Sequence, residues 1–93
     1  MVLIGTEYKI IVGDSIDNPI LTEDIIKVLT CLGFEGGTII SSVGLWKGKT
    51  EQSYIILVSE PDRSKITRLV NVLKIRFGQE TIYIGYNGEG YIE

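Results

Sequence analysis

Two short stretches hold the residues best equipped for chemistry. Trp46 stands in Gly44-Leu45-Trp46-Lys47-Gly48-Lys49, and Arg76, Gln79 and Glu80 stand in Arg76-Phe77-Gly78-Gln79-Glu80. A tryptophan offers a π-face on which a flat ring or a cation stacks. Two neighbouring ammonium groups attract negative charge, and flanking glycines let the backbone come close to a ligand. Those types in that order suit a small, anionic, planar molecule; the plainer alternative is that Trp46 plugs a sheet edge or a subunit seam. Arg76 and Gln79 also read two ways. An arginine in the last turn of a helix favours the exposed carbonyls and pairs with a carboxylate, here Glu80 or Glu51. Alternatively Arg76 and Gln79 form the polar wall of a pocket floored by Trp46, with further donors from Lys47 and Ser53. Glu51 and Ser53 precede an apolar run, where they line a cleft or satisfy turn amides.

The chain has no histidine, which removes the commonest general base, the commonest metal ligand and every Ser-His or Cys-His nucleophile pair. Its one cysteine, Cys31, falls in an apolar helical pattern and is expected to be a buried, inert thiol. No group of Cys, His or carboxylate residues has metal-site spacing, so neither metal nor cofactor is expected. Gly33, Gly36 and Gly37 do not lie between a strand and a helix as a phosphate loop requires; they read as a helix end and a strand entrance.

The elements that must position these groups follow from periodicity. Tyr8 to Val12 is a β-branched and aromatic run, closed by Gly13-Asp14 and a loop from Asp14 to Pro19. Thr22 is expected to cap a helix whose Ile25, Val28, Leu29 and Leu32 share a face, with Gly33 turning left-handed at its end. Gly37 to Val43 is a strand and Gly44 to Thr50 the hairpin connection after it. Tyr54 to Val58, apolar at every position, predicts a central strand buried on both faces. Pro61 and Asp62 open a second helix with Ile66, Leu69, Val70, Leu73 and Phe77 on one side, and Gly78 ends it. Thr81 to Tyr86 returns as a strand, and Asn87-Gly88 predicts a further hairpin to a fifth strand, Glu89 to Ile92. The order β-α-β-β-α-β is the split βαβ of an α+β, ferredoxin-like domain: a four-stranded antiparallel sheet with two helices on one face. Helices cover one face only, so a second subunit is expected on the other.

With 93 residues the chain reads as one domain, 1–93, burying roughly 60–65 % of its unfolded surface on folding, a modest reserve that a partner subunit would supplement. The net charge of −3 argues against a nucleic-acid polymer as partner. Arg63, Lys65, Arg68, Lys74 and Arg76 read as the solvated basic face of the second helix. No run approaches the ~18 apolar residues of a membrane span, and Met1-Val2-Leu3-Ile4 is too short for a secretory leader, so a cytoplasmic protein is expected.

Gly36-Gly37-Thr38, Gly44-Leu45-Trp46-Lys47-Gly48, Glu51-Gln52-Ser53 and Arg76-Phe77-Gly78-Gln79-Glu80, in this order, resemble a family of small bacterial proteins known only as a domain of unknown function. In that family a glycine and threonine open a strand that ends in a G-x-W-x-G turn, an E-x-S enters the next strand, and R-F-G-Q-E closes the last helix. The resemblance implies the same fold as the periodicity and implies no activity. The chain departs from it in lacking an exported leader and in continuing past the strand that follows R-F-G-Q-E. The residues therefore lead to a non-enzymatic, homo-oligomeric ligand-binding domain with Trp46, Lys47, Lys49, Ser53, Arg76 and Gln79 at the site and a nucleotide as ligand. A sharper form is a viral protein that sequesters a nucleotide signal in host cytoplasm. The alternatives are a small enzyme on a dimeric α+β barrel, with Glu51, Glu80 or a tyrosine as acid or base, and a protein-interaction module.

Overall fold

A computed structural model describes residues 1–13 and 19–92, and of Trp46 the backbone only. The expected loop over 14–18 lies outside the described residues. Six elements follow in order: β1 (Val2–Gly13), α1 (Thr22–Cys31), β2 (Thr38–Trp46), β3 (Lys49–Glu60), α2 (Arg63–Phe77) and β4 (Tyr83–Ile92). The strands form one antiparallel sheet in the order β2-β3-β1-β4, which puts β1 and β3 in the centre as the ferredoxin-like reading requires.

The core lies on one side of this sheet. Tyr8, Ile10 and Val12 from β1 and Ile56 and Val58 from β3 meet Ile25, Val28 and Leu29 of α1 and Ile66, Leu69, Leu73 and Phe77 of α2. Ile10, Ile25, Leu69 and Leu73 are fully buried, the outcome expected of apolar residues repeating at two in strands and at three and four in helices. On the opposite face Ile11, Ile55 and Leu57 are only half-buried, so burial of β3 on both sides is not reached within one chain. Ile40 and Tyr83 extend that apolar surface and are exposed.

Several local expectations change. Thr22 is the first helical residue rather than the cap; Leu21 caps α1 with no side-chain bond, since its extended φ of −95° and ψ of 143° already complete the entry. Cys31 is exposed, because the buried side of α1 runs through Ile25, Val28 and Leu29, and a residue two past Leu29 is rotated away from it. Asp62, by contrast, caps α2 in full, accepting from the Ser64 amide at 2.9 Å and its hydroxyl at 2.7 Å. The basic face of α2 is not merely solvated: the Arg63 guanidinium sits 5.0 Å over the Tyr86 ring, and Lys65 donates to the Gly33 carbonyl at 2.8 Å beside Glu60 at 3.4 Å.

The fifth strand is absent among the described residues, and the Asn87-Gly88 hairpin with it: β4 runs unbroken to Ile92. β1 begins at Val2, far earlier than its β-branched centre suggests, and so offers partners to the whole of Glu89 to Ile92. Asn87 and Gly88 instead fill a bulge, two residues of β4 against Glu7 alone, with Gly88 at φ +88°. A second irregularity between Leu3 and Gly5 returns the extra residue on β1 and restores the alternation. Gly5 there has φ +149°, and a Cβ on it would lie 2.5 Å from the backbone of Glu60 and Pro61.

Gly5→Ala is expected to cost about 1–3 kcal/mol or more, because an unusual φ and a backbone collision act together; urea unfolding checks it. Asp62→Ala is expected to lower the melting temperature at neutral pH. The two bonds from Ser64 hold the Asp62 carboxyl below its ordinary value of 3.8, so the cap contributes above that pH and is lost as pH falls through the depressed folded value. The gap in melting temperature between wild type and variant should therefore close in strong acid.

Candidate functional site

The β2–β3 hairpin turns on Lys47 and Gly48 alone, at φ 49° and 78°, the pair of positive values that a type I′ turn demands. The connection predicted over Gly44 to Thr50 is thus mostly strand, and Trp46 pairs with Lys49. Strand alternation then places Lys49, Glu51 and Ser53 on one face of β3, the face turned away from the helices, over about 13 Å. β1 ends at Gly13 opposite Ser53, and among the described residues β2 and β3 continue beyond that point as a two-stranded arm. Val43 and Leu45 on the arm are 73 % and 75 % exposed.

At the root of the arm three strands and the α2–β4 connection converge. Ser53 is 4 % exposed, a buried polar residue whose hydroxyl shares a 2.7 Å hydrogen bond with that of Ser42 on β2. Gly13 lies beside Ser53 on one side, and Gly44 faces Glu51 on the other. A Cβ on Gly44 would stand 3.6 Å from both the Ser53 hydroxyl and Glu51 Cγ, and one on Gly13 would stand 3.2 Å from a Glu51 carboxylate oxygen. Two glycines thus leave a shallow trough, and the Glu51 side chain lies across it, its Cγ against Gly44 and a carboxylate oxygen against Gly13, with Ser53 buried at the bottom. Gln79 reaches it from the end of α2, where Gly78 at φ 65° terminates the helix. The Gln79 side-chain nitrogen donates to the Gly13 carbonyl at 2.8 Å and to the Phe77 carbonyl at 3.3 Å, tying α2 to the end of β1. Gly13 and Gln79, distant in sequence, thus join Gly44, Glu51 and Ser53 of the hairpin in one place.

The predicted site residues therefore divide. Ser53 and Gln79 meet at the trough; Lys49 lies on the same face of β3 two residues before Glu51; Lys47 is exposed in the turn; and Trp46 closes β2 beside them. Arg76 is exposed and lines a different groove, with Pro19, Asp24, Val72, Ile75 and Phe77. Neither of the expected bridges, Arg76 to Glu80 or Arg76 to Glu51, forms; among the described residues the ion pair is Lys65 with Glu60. The last turn of α2 aims Arg76 to the helix side of the sheet, whereas Glu51 sits on the other side. Gly13 and Ser42, which sequence reasoning passed over, belong to the site; only the pairing of β1 and β2 with β3 reveals them. A larger groove at the far end of the sheet is lined by Glu7, Glu60, Glu89, Lys65 and Tyr91 among others. Its four carboxylates, Glu35 included, make it a poor receptor for an anion. There the Tyr91 hydroxyl donates to the Glu89 carboxylate, and this bond holds the phenol above its ordinary 10.0.

No family model and no curated protein matches this chain. Solved structures share its fold. CPII, a nitrogen regulatory PII-like protein from Thiomonas intermedia K12 seen bound to ADP, AMP and bicarbonate, superposes with a TM-score of 0.66 at 14 % identity, covering 98 % of each chain. A putative PII-like signalling protein from Thermus thermophilus gives a TM-score of 0.60 at 17 % identity, covering 92 % of this chain and 89 % of its own. At such identities the likeness is one of fold.

Gln79→Ala removes the link between α2 and β1 and is expected to cost about 1 kcal/mol, leaving the Gly13 carbonyl without its donor. Arg76→Ala, lacking a bridge to lose, should stay within about 0.5 kcal/mol of wild type. Urea unfolding of the two variants, measured side by side, checks both.

Proposed function

We propose that this chain is a non-enzymatic, homo-oligomeric binding domain for a small anionic, planar ligand, with a nucleotide as the ligand class. The observation that carries the reading is the trough itself: a place kept low by Gly13 and Gly44 and crossed by the exposed Glu51 side chain, with Lys49 further along the same strand face. A ring lies in the trough with the exposed Glu51 side chain swung aside, and its negative group lies toward Lys47 and Lys49. The fold neighbour that holds ADP, AMP and bicarbonate supports a ligand of this kind. Arg76, in its separate groove, stands outside this site.

Oligomerisation follows from the sheet. Ile11, Ile55 and Leu57, half-buried, continue into exposed Ile40 and Tyr83 on the face without helices, and a second copy removes that apolar surface from water. A protein-interaction module is the second reading, favoured by the bare Val43 and Leu45 on the projecting arm.

Trp46 is the only indole in the chain, so its fluorescence reports its own neighbourhood. Titration with mononucleotides, dinucleotides and cyclic nucleotides is expected to change the emission saturably, with no turnover of the compound. The double variant Lys47→Ala, Lys49→Ala should weaken binding about tenfold or more, a loss of about 1.4 kcal/mol. Unchanged emission and melting temperature across the series would remove nucleotides. A stable monomer by light scattering at micromolar concentration would remove the oligomer.

A further inference from the structure

The surplus residue of β4 falls at the one Asn-Gly pair in the chain. Asn87 and Gly88 stand together opposite Glu7, and the register resumes only at Glu89 opposite Thr6, so neither has a place among the paired residues. Both are exposed, and β4 is an edge strand with no neighbour on its outer side among the described residues. Gly88 has φ +88°, and a Cβ built on it would meet nothing within 4 Å. The space around this peptide is open, and a glycine leaves its nitrogen unshielded by any side chain. The other two asparagines are placed differently. Asn18 precedes Pro19, whose nitrogen carries no proton; Asn71 lies within α2, where the helix ladder engages the Val72 amide and a β-branched side chain crowds it.

An asparagine side chain is an amide electrophile within ring-closing reach of the next backbone nitrogen. We infer that Asn87 is a site of spontaneous deamidation through a cyclic imide. The Gly88 nitrogen, giving up its proton to solvent base, bonds to the Asn87 side-chain carbonyl carbon; the bond from that carbon to the side-chain nitrogen breaks, and ammonia leaves. Water then opens the imide at either carbonyl. Opening at the side-chain carbonyl gives aspartate; opening at the main-chain carbonyl gives isoaspartate, in which the chain runs through the side-chain carbons and gains one methylene. The bulge decides the consequence. Residues 89–92 keep their register on residues 2–6 because the surplus at Asn87 and Gly88 is matched by the irregularity between Leu3 and Gly5. A further methylene has no such match, and the new carboxylate stands opposite Glu7 and two residues from Glu89. Isoaspartate at position 87 therefore loosens the β1–β4 ribbon beyond the bulge, while the pairs from Tyr8 with Tyr86 to Ile11 with Tyr83 hold.

The test holds the intact chain at physiological temperature and follows each asparagine by peptide mapping with mass spectrometry, scoring isoaspartate with an isoaspartyl methyltransferase. Asn87 is expected to convert at least about tenfold faster than Asn71, and faster as pH rises, since the attacking nitrogen must lose its proton. The folded chain should convert at Asn87 within about tenfold of the rate in urea, where no structure restrains it. Hydrogen exchange on the isoaspartate form should show residues 2–5 and 90–92 opening sooner, with Ile10 and Ile56 unchanged. Asn87→Asp, which adds the charge without the methylene, should keep the protection of the wild type. Equal conversion of Asn87 and Asn71, or a folded-state rate at Asn87 more than about tenfold below that in urea, would overturn the site. Unaltered exchange in the isoaspartate form, or equal loss of protection in Asn87→Asp, would overturn the account of a lengthened backbone.

Discussion

Parity along one hairpin governs everything at the root of the arm. Lys47 and Gly48 form a two-residue turn, which fixes Trp46 opposite Lys49 and, four pairs on, Ser42 opposite Ser53. One residue more or less would rotate Lys49, Glu51 and Ser53 to the helix side and bring Thr50 and Gln52 to the trough instead. The same slip would exchange Ile56 and Val58 for Ile55 and Leu57 in the core. Core and trough therefore enforce one register together: the apolar half of β3 holds the polar half in phase. The Ser42–Ser53 hydroxyl pair adds a polar lock where the buried half ends.

A second constraint ties the layers. Tyr54 donates to the Ile20 carbonyl at 2.8 Å from β3, and Gln79 donates to the Gly13 carbonyl from the end of α2. The chain leaves the sheet at Gly13 and enters α1 just after Ile20, so both of these bonds grip the approaches to α1.

The order of elements was legible because each carries its own period: two in the strands, three and four in the helices, with Asp62 and Gly78 as the punctuation of α2. The failures have physical causes of another sort. Asn87-Gly88 has the local chemistry of a turn, but the start of β1 offers a continuous ladder, and the same dipeptide serves as a bulge. Arg76 shares a short motif with Gln79, yet α2 ends between them: Gly78 turns left-handed at φ 65°, so Arg76 stays on the helix while Gln79 leaves it toward the end of β1. For the site, Ser53, Gln79 and Lys49 were visible as residue types. Gly13 and Ser42 were not, because their importance lies in which strand neighbours them, and that is a property of pairing rather than of spacing.

Among the described residues, the arm beyond Ser42 and Ser53 has two strands and no third, with apolar Val43 and Leu45 turned to water. A lone ribbon of that kind is marginal by itself. Its amide protons should exchange with solvent long before those of β1, and opening it withdraws Lys49 and Glu51 while Ser53, Gly13 and Gln79 stay anchored to the core. The trough is thus assembled from one stiff wall and one hinged wall. Any molecule that bridges them gains affinity only after meeting the entropy of stilling the hinge, and in return it makes the arm a readable signal of its own occupancy.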